Sequence, residues 1–175
     1  MQLLANSDVL LESFRPGVMD KLGLSPNSLL QKFPHLIICS LTGFGHTGPQ
    51  SRRVGHDIGF LARAGVLDLM DKPSLLPLPF ADIAGGSLPA AMQICAALYQ
   101  RTRTGRGCFI DVSIVDNTAA LLLPLTYAGY SATGQYDRLG SGLLTGGLPN
   151  YRVYEAKDNT YLAVGTLEPK FWSTS

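Results

Sequence analysis

His56 and Asp82 are the residues of this 175-residue chain whose types and settings best suit proton chemistry. His56 stands in Gly55-His56-Asp57-Ile58 and Asp82 in Ala81-Asp82-Ile83-Ala84-Gly85-Gly86, both at expected starts of helices. Histidine has a reference pKa near 6.5 and can accept or donate a proton close to neutrality. Aspartate, with a reference value of about 3.9, becomes a useful acid when burial disfavours its charged form. An imidazole and a carboxylate that meet across a pocket can remove a proton from one face of a carbon and return it to the other. Taken alone, His56 also fits a surface or helix-capping histidine. Asp82 alone fits an N-cap, which is compatible with chemistry. His35 and His46 have no comparable context and are expected to face solvent.

Positioning such a pair requires a layered scaffold, and the pattern supplies one. Val9 to Glu12 reads as a strand, Val18 to Leu22 as a short helix, and Ser25-Pro26 opens a second helix through Phe33. Serine caps free amides there and proline suits the first helical position. The run Leu36 to Leu41 is apolar and β-rich, as in a strand buried on both faces of a parallel sheet. Thr42-Gly43-Phe44-Gly45 follows it, where ligands of open α/β sheets sit. His56 to Leu67 and Asp82 to about Arg103 read as helices, and Thr104-Gly105-Arg106-Gly107 stops the second. Cys108 to Val112 reads as a strand and Asp116 to about Thr133 as a helix. Tyr151 to Glu155 and Thr160 to Val164, joined by Lys157-Asp158-Asn159, predict a β-hairpin. The expected fold class is α/β: part of an open parallel sheet with long connecting helices over residues 1–133, and a small β-hairpin unit over 134–175.

Bulk properties narrow the function. Hydrophobic residues make up 46% and charged residues 15%, which excludes a disordered chain. A net charge of +1 leaves no electrostatic footprint for nucleic acid. Arg101, Arg103 and Arg106 read as a solvated helix end. Cys39, Cys95 and Cys108 match neither a metal pattern nor a disulfide framework, so a reducing cytoplasm is expected and no metal. Cys39 and Cys95 lie in apolar runs and are expected to fill core. Met1 to Asp8 carries no secretory signal, and the apolar run Thr118 to Ala128 is too short, and broken by Pro124, to span a membrane.

Several motifs in order carry a family resemblance: Glu12-Ser13-Phe14-Arg15-Pro16-Gly17-Val18, Leu41-Thr42-Gly43-Phe44-Gly45, Ala81-Asp82, and Arg103-Thr104-Gly105-Arg106-Gly107. The chain resembles the family III (CaiB/BaiF) CoA-transferases over nearly its whole length. Gly55-His56-Asp57, Gly146-Gly147-Leu148-Pro149 and Ala163 to Phe171 are most similar to the α-methylacyl-CoA racemase branch. Transferases of the family tend to have tyrosine in the place of His56. Family members are roughly twice this long and form interlocked homodimers, so the chain resembles a middle portion.

The resemblance implies that His56 and Asp82 are the proton-transfer pair and that Glu168 orients the imidazole. It directs Arg15 to a CoA phosphate, a role its charged fork suits, and Gly43 and Asp57 to the pantetheine and thioester. The implied reaction inverts the 2-methyl centre of a 2-methylacyl-CoA through an enolate. The substrate is a coenzyme A thioester, with no permanently bound cofactor and no metal. One alternative is CoA transfer with Asp82 as nucleophile. Another is a non-catalytic, truncated fold fragment that oligomerises or binds CoA. A cytoplasmic homo-oligomer, expected as a homodimer, follows, with neither nucleic acid nor membrane as partner.

Overall fold

In the computed structural model, which describes residues 1–172, strand β1 (Val9–Glu12) leads through two short helices, α1 (Val18–Lys21) and α2 (Pro26–Lys32), to strand β2 (Ile37–Thr42). Ser25 caps α2 by accepting the Ser28 amide at 3.2 Å, and Pro26 occupies the first turn. These are the roles read from Ser25-Pro26. Strand β3 (Phe109–Ser113) completes a sheet in the order β1-β2-β3, parallel throughout. β2 is the central strand, and only Leu41 of its six residues escapes full burial. This double coverage is why the run carries no alternation.

The chain forms two compact units, Met1–Ala64 with Leu75–Leu121, and Gly65–Ser74 with Leu122 onward. In the first, one sheet face contributes Ile37, Cys39, Ile110 and Val112 to a core closed by Ala90 and Ala97 of helix α4 (Leu88–Thr104). The opposite face sets Leu10, Ile38 and Phe109 against Met19, Leu29 and Leu36. Helix α3 (Asp57–Ala64) follows the β2 loop, and helix α5 (Ile114–Thr133) leaves β3 directly.

Local chemistry changes several expectations. α3 ends at Ala64 rather than Leu67, because Gly65 turns left-handed at φ +88°. The helix expected from Asp82 begins as a π-helical segment, Ala81–Ser87, and becomes α-helical only at Leu88. This 24-residue helix is long and apolar enough, by length and composition, to cross a membrane, its most apolar 18-residue window having a mean hydropathy of 1.2. Ala90 and Ala97 nevertheless lie in the sheet's core cluster, the position of a core helix. Cys95 is exposed, not core, since it shares the outer face of α4 with Met92 and Tyr99. Arg101 is not a solvated helix end. Its guanidinium meets Asp8 at 2.7 Å and donates to the His35 carbonyl at 3.0 Å.

The second unit contains the predicted hairpin, β4 (Tyr151–Glu155) and β5 (Tyr161–Gly165), antiparallel from Tyr151 opposite Gly165 to Glu155 opposite Tyr161. Asn159 takes the left-handed position of its turn at φ 62°. The short helix α6 (Pro169–Trp172) follows. A cavity of about 740 Å³, with an apolar lining that includes Leu139, Leu144, Tyr151, Val153 and Val164, opens in this unit. None of the residues selected for chemistry lines it.

Candidate proton-transfer site

His56 immediately precedes α3, and its carbonyl accepts the amides of Gly59 at 2.8 Å and Phe60 at 3.1 Å. Its backbone therefore caps the helix while its side chain stays exposed and free for exchange with solvent or ligand. Asp57, the first residue of α3, turns to the helix that carries Asp82. Its Oδ1 accepts the Asp82 amide at 2.9 Å. Asp82 is thus not the N-cap expected of it. Phe80 and Ala81 already lead into the helix, no side-chain cap is present, and the carboxylate satisfying an orphan amide comes from Asp57, 25 residues away.

The π-helical start sets where Asp82 lies. A Cβ added to Gly85 would stand 2.1 Å from Thr118 Oγ1 and 2.5 Å from the Ile114 carbonyl oxygen, so only glycine lets this turn press onto α5. Asn117 Nδ2 donates to the Gly85 carbonyl at 3.0 Å, and Ser87 Oγ donates to the Asp82 carbonyl at 3.1 Å. These bonds satisfy backbone carbonyls that the wider helical turn leaves for side chains.

Asp82 is half-buried, and its pKa is raised above the usual carboxylate value. Burial is the largest cause and the negative charge of Asp57 the second, while His56 pulls in the opposite direction. His56, Asp57 and Asp82 therefore form one electrostatically connected group. Such a carboxyl is a better proton donor near neutrality than an exposed one.

A second, smaller cavity of about 180 Å³ opens beyond the carboxyl ends of β1 and β2, lined by Phe14, Arg15, Gly43, Phe44, Arg53 and Phe60 among others. Phe60 is its floor. Added Cβ atoms at Gly43 and Gly55 would come within 2.4 and 2.7 Å of the ring, so both glycines let backbone lie on an aromatic surface. Phe44 meets the same ring edge-on at 5.6 Å. Thr42 adds a buried hydroxyl without a hydrogen-bond partner among the described residues. Two guanidiniums beside an apolar wall suit a phosphate-bearing ligand with an apolar arm. Arg15 and Gly43 were expected here. Arg53 was missed, since Ser51-Arg52-Arg53-Val54 reads only as a polar loop.

Glu168 belongs to the second unit, where it is exposed and its carbonyl accepts the amides of Phe171 and Trp172. His46 departs from the expectation that it faces solvent. Its side chain is 22% exposed, with Nε2 at 2.6 Å from Ser40 Oγ and its ring edge-on to Phe109. The turn Gly43-Phe44-Gly45 folds it back over the sheet, a tertiary event with no local signature.

A family model described as CoA-transferase family III matches residues 1–175. The chain is 43% identical over 176 residues to the α-methylacyl-CoA racemase of Mus musculus, covering 98% of this chain and 46% of that protein. It is 35% identical over 168 residues to the succinyl-CoA:glutarate CoA-transferase of the same organism, covering 94% of this chain and 38% of that one. The crystal structure of a CaiB/BaiF family protein from Brucella suis matches with a TM-score of 0.77 at 34% identity, covering 91% of this chain and 42% of that chain. The chain thus spans about half the length, or less, of the relatives it matches. Its parallel sheet, long helices and hairpin are those of the CaiB/BaiF neighbours, and its motifs match from end to end: the chain belongs to CoA-transferase family III.

Proposed function

We propose that this chain carries the proton-transfer site of a racemase-like protein that inverts the 2-methyl centre of a 2-methylacyl-CoA. In one direction His56 removes the C2 proton, the electron pair moves into the thioester as an enolate, and protonated Asp82 returns a proton to the opposite face. In the other direction the roles exchange. The observation that carries this reading is the electrostatic connection of His56 to a carboxyl whose pKa is raised by burial and by Asp57. A raised pKa keeps more of Asp82 protonated, as an acid requires. Glu168 is assigned to hold the imidazole tautomer, on the family resemblance alone. Arg15, joined by Arg53, is assigned to a CoA phosphate, with Gly43 and Asp57 near the pantetheine and thioester. No cofactor enters this scheme.

The working unit is proposed to be a cytoplasmic homodimer. Leu88, Met92, Cys95 and Tyr99 recur on one exposed face of α4 at three- and four-residue spacing, which supports an association surface. The likeness to a CoA-transferase supports a second reading, in which the Asp82 carboxylate attacks an acyl-CoA and expels CoA thiolate to give a mixed anhydride. The thiolate then attacks the aspartyl carbonyl, releasing the acyl group as its carboxylate and leaving an aspartyl-CoA thioester. His56 speaks against it. A third reading, a CoA-binding or oligomerising portion without activity of its own, draws support from the share of the relatives' length that the chain spans.

The deciding experiment is deuterium uptake at C2 of a 2-methylacyl-CoA in heavy water. Uptake lost in both His56→Ala and Asp82→Ala supports the racemase reading. Trapping of Asp82 by hydroxylamine, without uptake, replaces it with CoA transfer. CoA binding without either leaves the non-catalytic reading.

A further inference from the structure

One row of the parallel sheet is polar across all of its strands. Glu12 pairs in register with Ser40, and Ser40 with Asp111. Partners in a parallel ladder share a face, so the three side chains stand together one step beyond the apolar row Leu10, Ile38 and Phe109. Ser40 is fully buried and Glu12 is 8% exposed. Burying Glu12 and Ser40 is costly unless their atoms find partners, and the row's partners come from the two loops that leave β1 and β2. Glu12 Oε2 accepts the Phe14 amide at 2.8 Å. Asp111 Oδ2 accepts the His46 amide at 2.9 Å. His46 Nε2 bonds Ser40 Oγ and lies 3.9 Å from Glu12 Oε1.

The fold of the second loop depends on this contact. Gly45 has φ +73°, and a Cβ there would lie 3.3 Å from Ser113 Cβ and 3.5 Å from Asp111 Oδ2. Glycine suits this turn, because a side chain at this positive φ would be strained and close to Ser113, and the turn brings the loop down onto the row with the imidazole between Phe109 and Ser40. Among the described residues no three His, Cys, Asp or Glu side chains are grouped to hold a metal ion. What the row holds is its own loops.

We propose that His46 is a positioning residue: through Ser40, Glu12 and Asp111 it latches loop 43–46 to loop 13–15 and so fixes the two walls of the cavity that Arg15 and Gly43 line. The link is mechanical and short. Glu12 grips the turn that presents Phe14 and Arg15, His46 grips the turn that presents Gly43 and Phe44, and the two grips share one polar row, buried at Glu12 and Ser40 and exposed at Asp111. That these walls meet a CoA phosphate rests on the reading proposed above, but the latch does not.

The test compares the chain with His46→Ala and His46→Gln. Backbone amide exchange of Phe14 and of His46 itself reports the latch, and binding of coenzyme A reports the cavity. Global stability is measured in parallel, so that loop opening is separated from unfolding. The expected result for His46→Ala is exchange at both amides faster by roughly tenfold, the loss of about one hydrogen bond's protection, at a small cost in Tm. His46→Gln, whose amide can reach Ser40, restores slow exchange. Where the chain binds coenzyme A, the alanine variant binds it more weakly and the glutamine variant recovers. Exchange at Phe14 unchanged in His46→Ala overturns the latch, whatever coenzyme A does. Faster exchange in a chain that shows no coenzyme A binding sustains the latch and removes the CoA reading instead.

Discussion

The two faces of the three-stranded sheet do different work. One is apolar along its length, with Ile37, Cys39, Ile110 and Val112 closed off by alanines of α4. The other begins apolar at Leu10, Ile38 and Phe109 and turns polar at Glu12, Ser40 and Asp111 toward the carboxyl ends of the strands. The first face is stabilised by area removed from water, which is non-directional. The second is satisfied by directed bonds to two loops, which is where geometry for a ligand must come from. A sheet built this way separates the residues that make it fold from the residues that shape its pocket.

Substitutions on the two faces should therefore differ in size and in kind. Ile37→Ala removes a fully buried side chain from the apolar face and is expected to cost about 2–5 kcal/mol in denaturant unfolding. A cost below that of a surface change would show that this face does not anchor the unit. Gly85→Ala places a Cβ onto Thr118 and the Ile114 carbonyl. It is expected to cost about 1–3 kcal/mol by overpacking, and to shift Asp82, so any Asp82-dependent activity should fall further than stability does. Ser40→Ala removes the bond to His46 on the polar face and is expected to cost about 0.5–1.5 kcal/mol. If unfolding measurements found Ser40→Ala as damaging as Ile37→Ala, the division between the faces would collapse.

Sequence and structure agree where the cause is local. β2 was legible because burial on both faces selects a continuous apolar run, and the hairpin because Asn159 can take φ 62° between two alternating strands. The cap at Ser25 is a bond between residues three apart. What was not legible is long-range. The π-helical start at Ala81 contains Gly85, which lies against Thr118, a contact 33 positions away in a different helix. His46 turns inward because Asp111 and Ser40 wait on neighbouring strands. Arg101 is held by Asp8, which lies 93 residues earlier. Asp82 combines both cases: its segment was identifiable, but the partner that caps its amide was not.

That partnership gives the smallest and most discriminating effect. Because burial first, and Asp57 second, raise the Asp82 pKa, the folded chain holds this proton more tightly than the unfolded one does. The stabilising contribution is complete below the unfolded value of about 3.8 and is lost as pH rises through the raised folded value. Above the unfolded value, holding this proton or burying the ionised carboxylate opposes folding. Asp82→Asn is therefore expected to raise Tm slightly near pH 7, with the gain shrinking to nothing as pH falls below 3.8. In an Asp57→Asn background the same substitution should gain less. The like charge is gone there, while an amide oxygen can still accept the Asp82 amide. If Asp82→Asn proved no more stable at neutral pH than at acid pH, the two carboxylates would not be in electrostatic contact. A residue that costs stability in its ionised form is what a site retained for chemistry, rather than for packing, should contain.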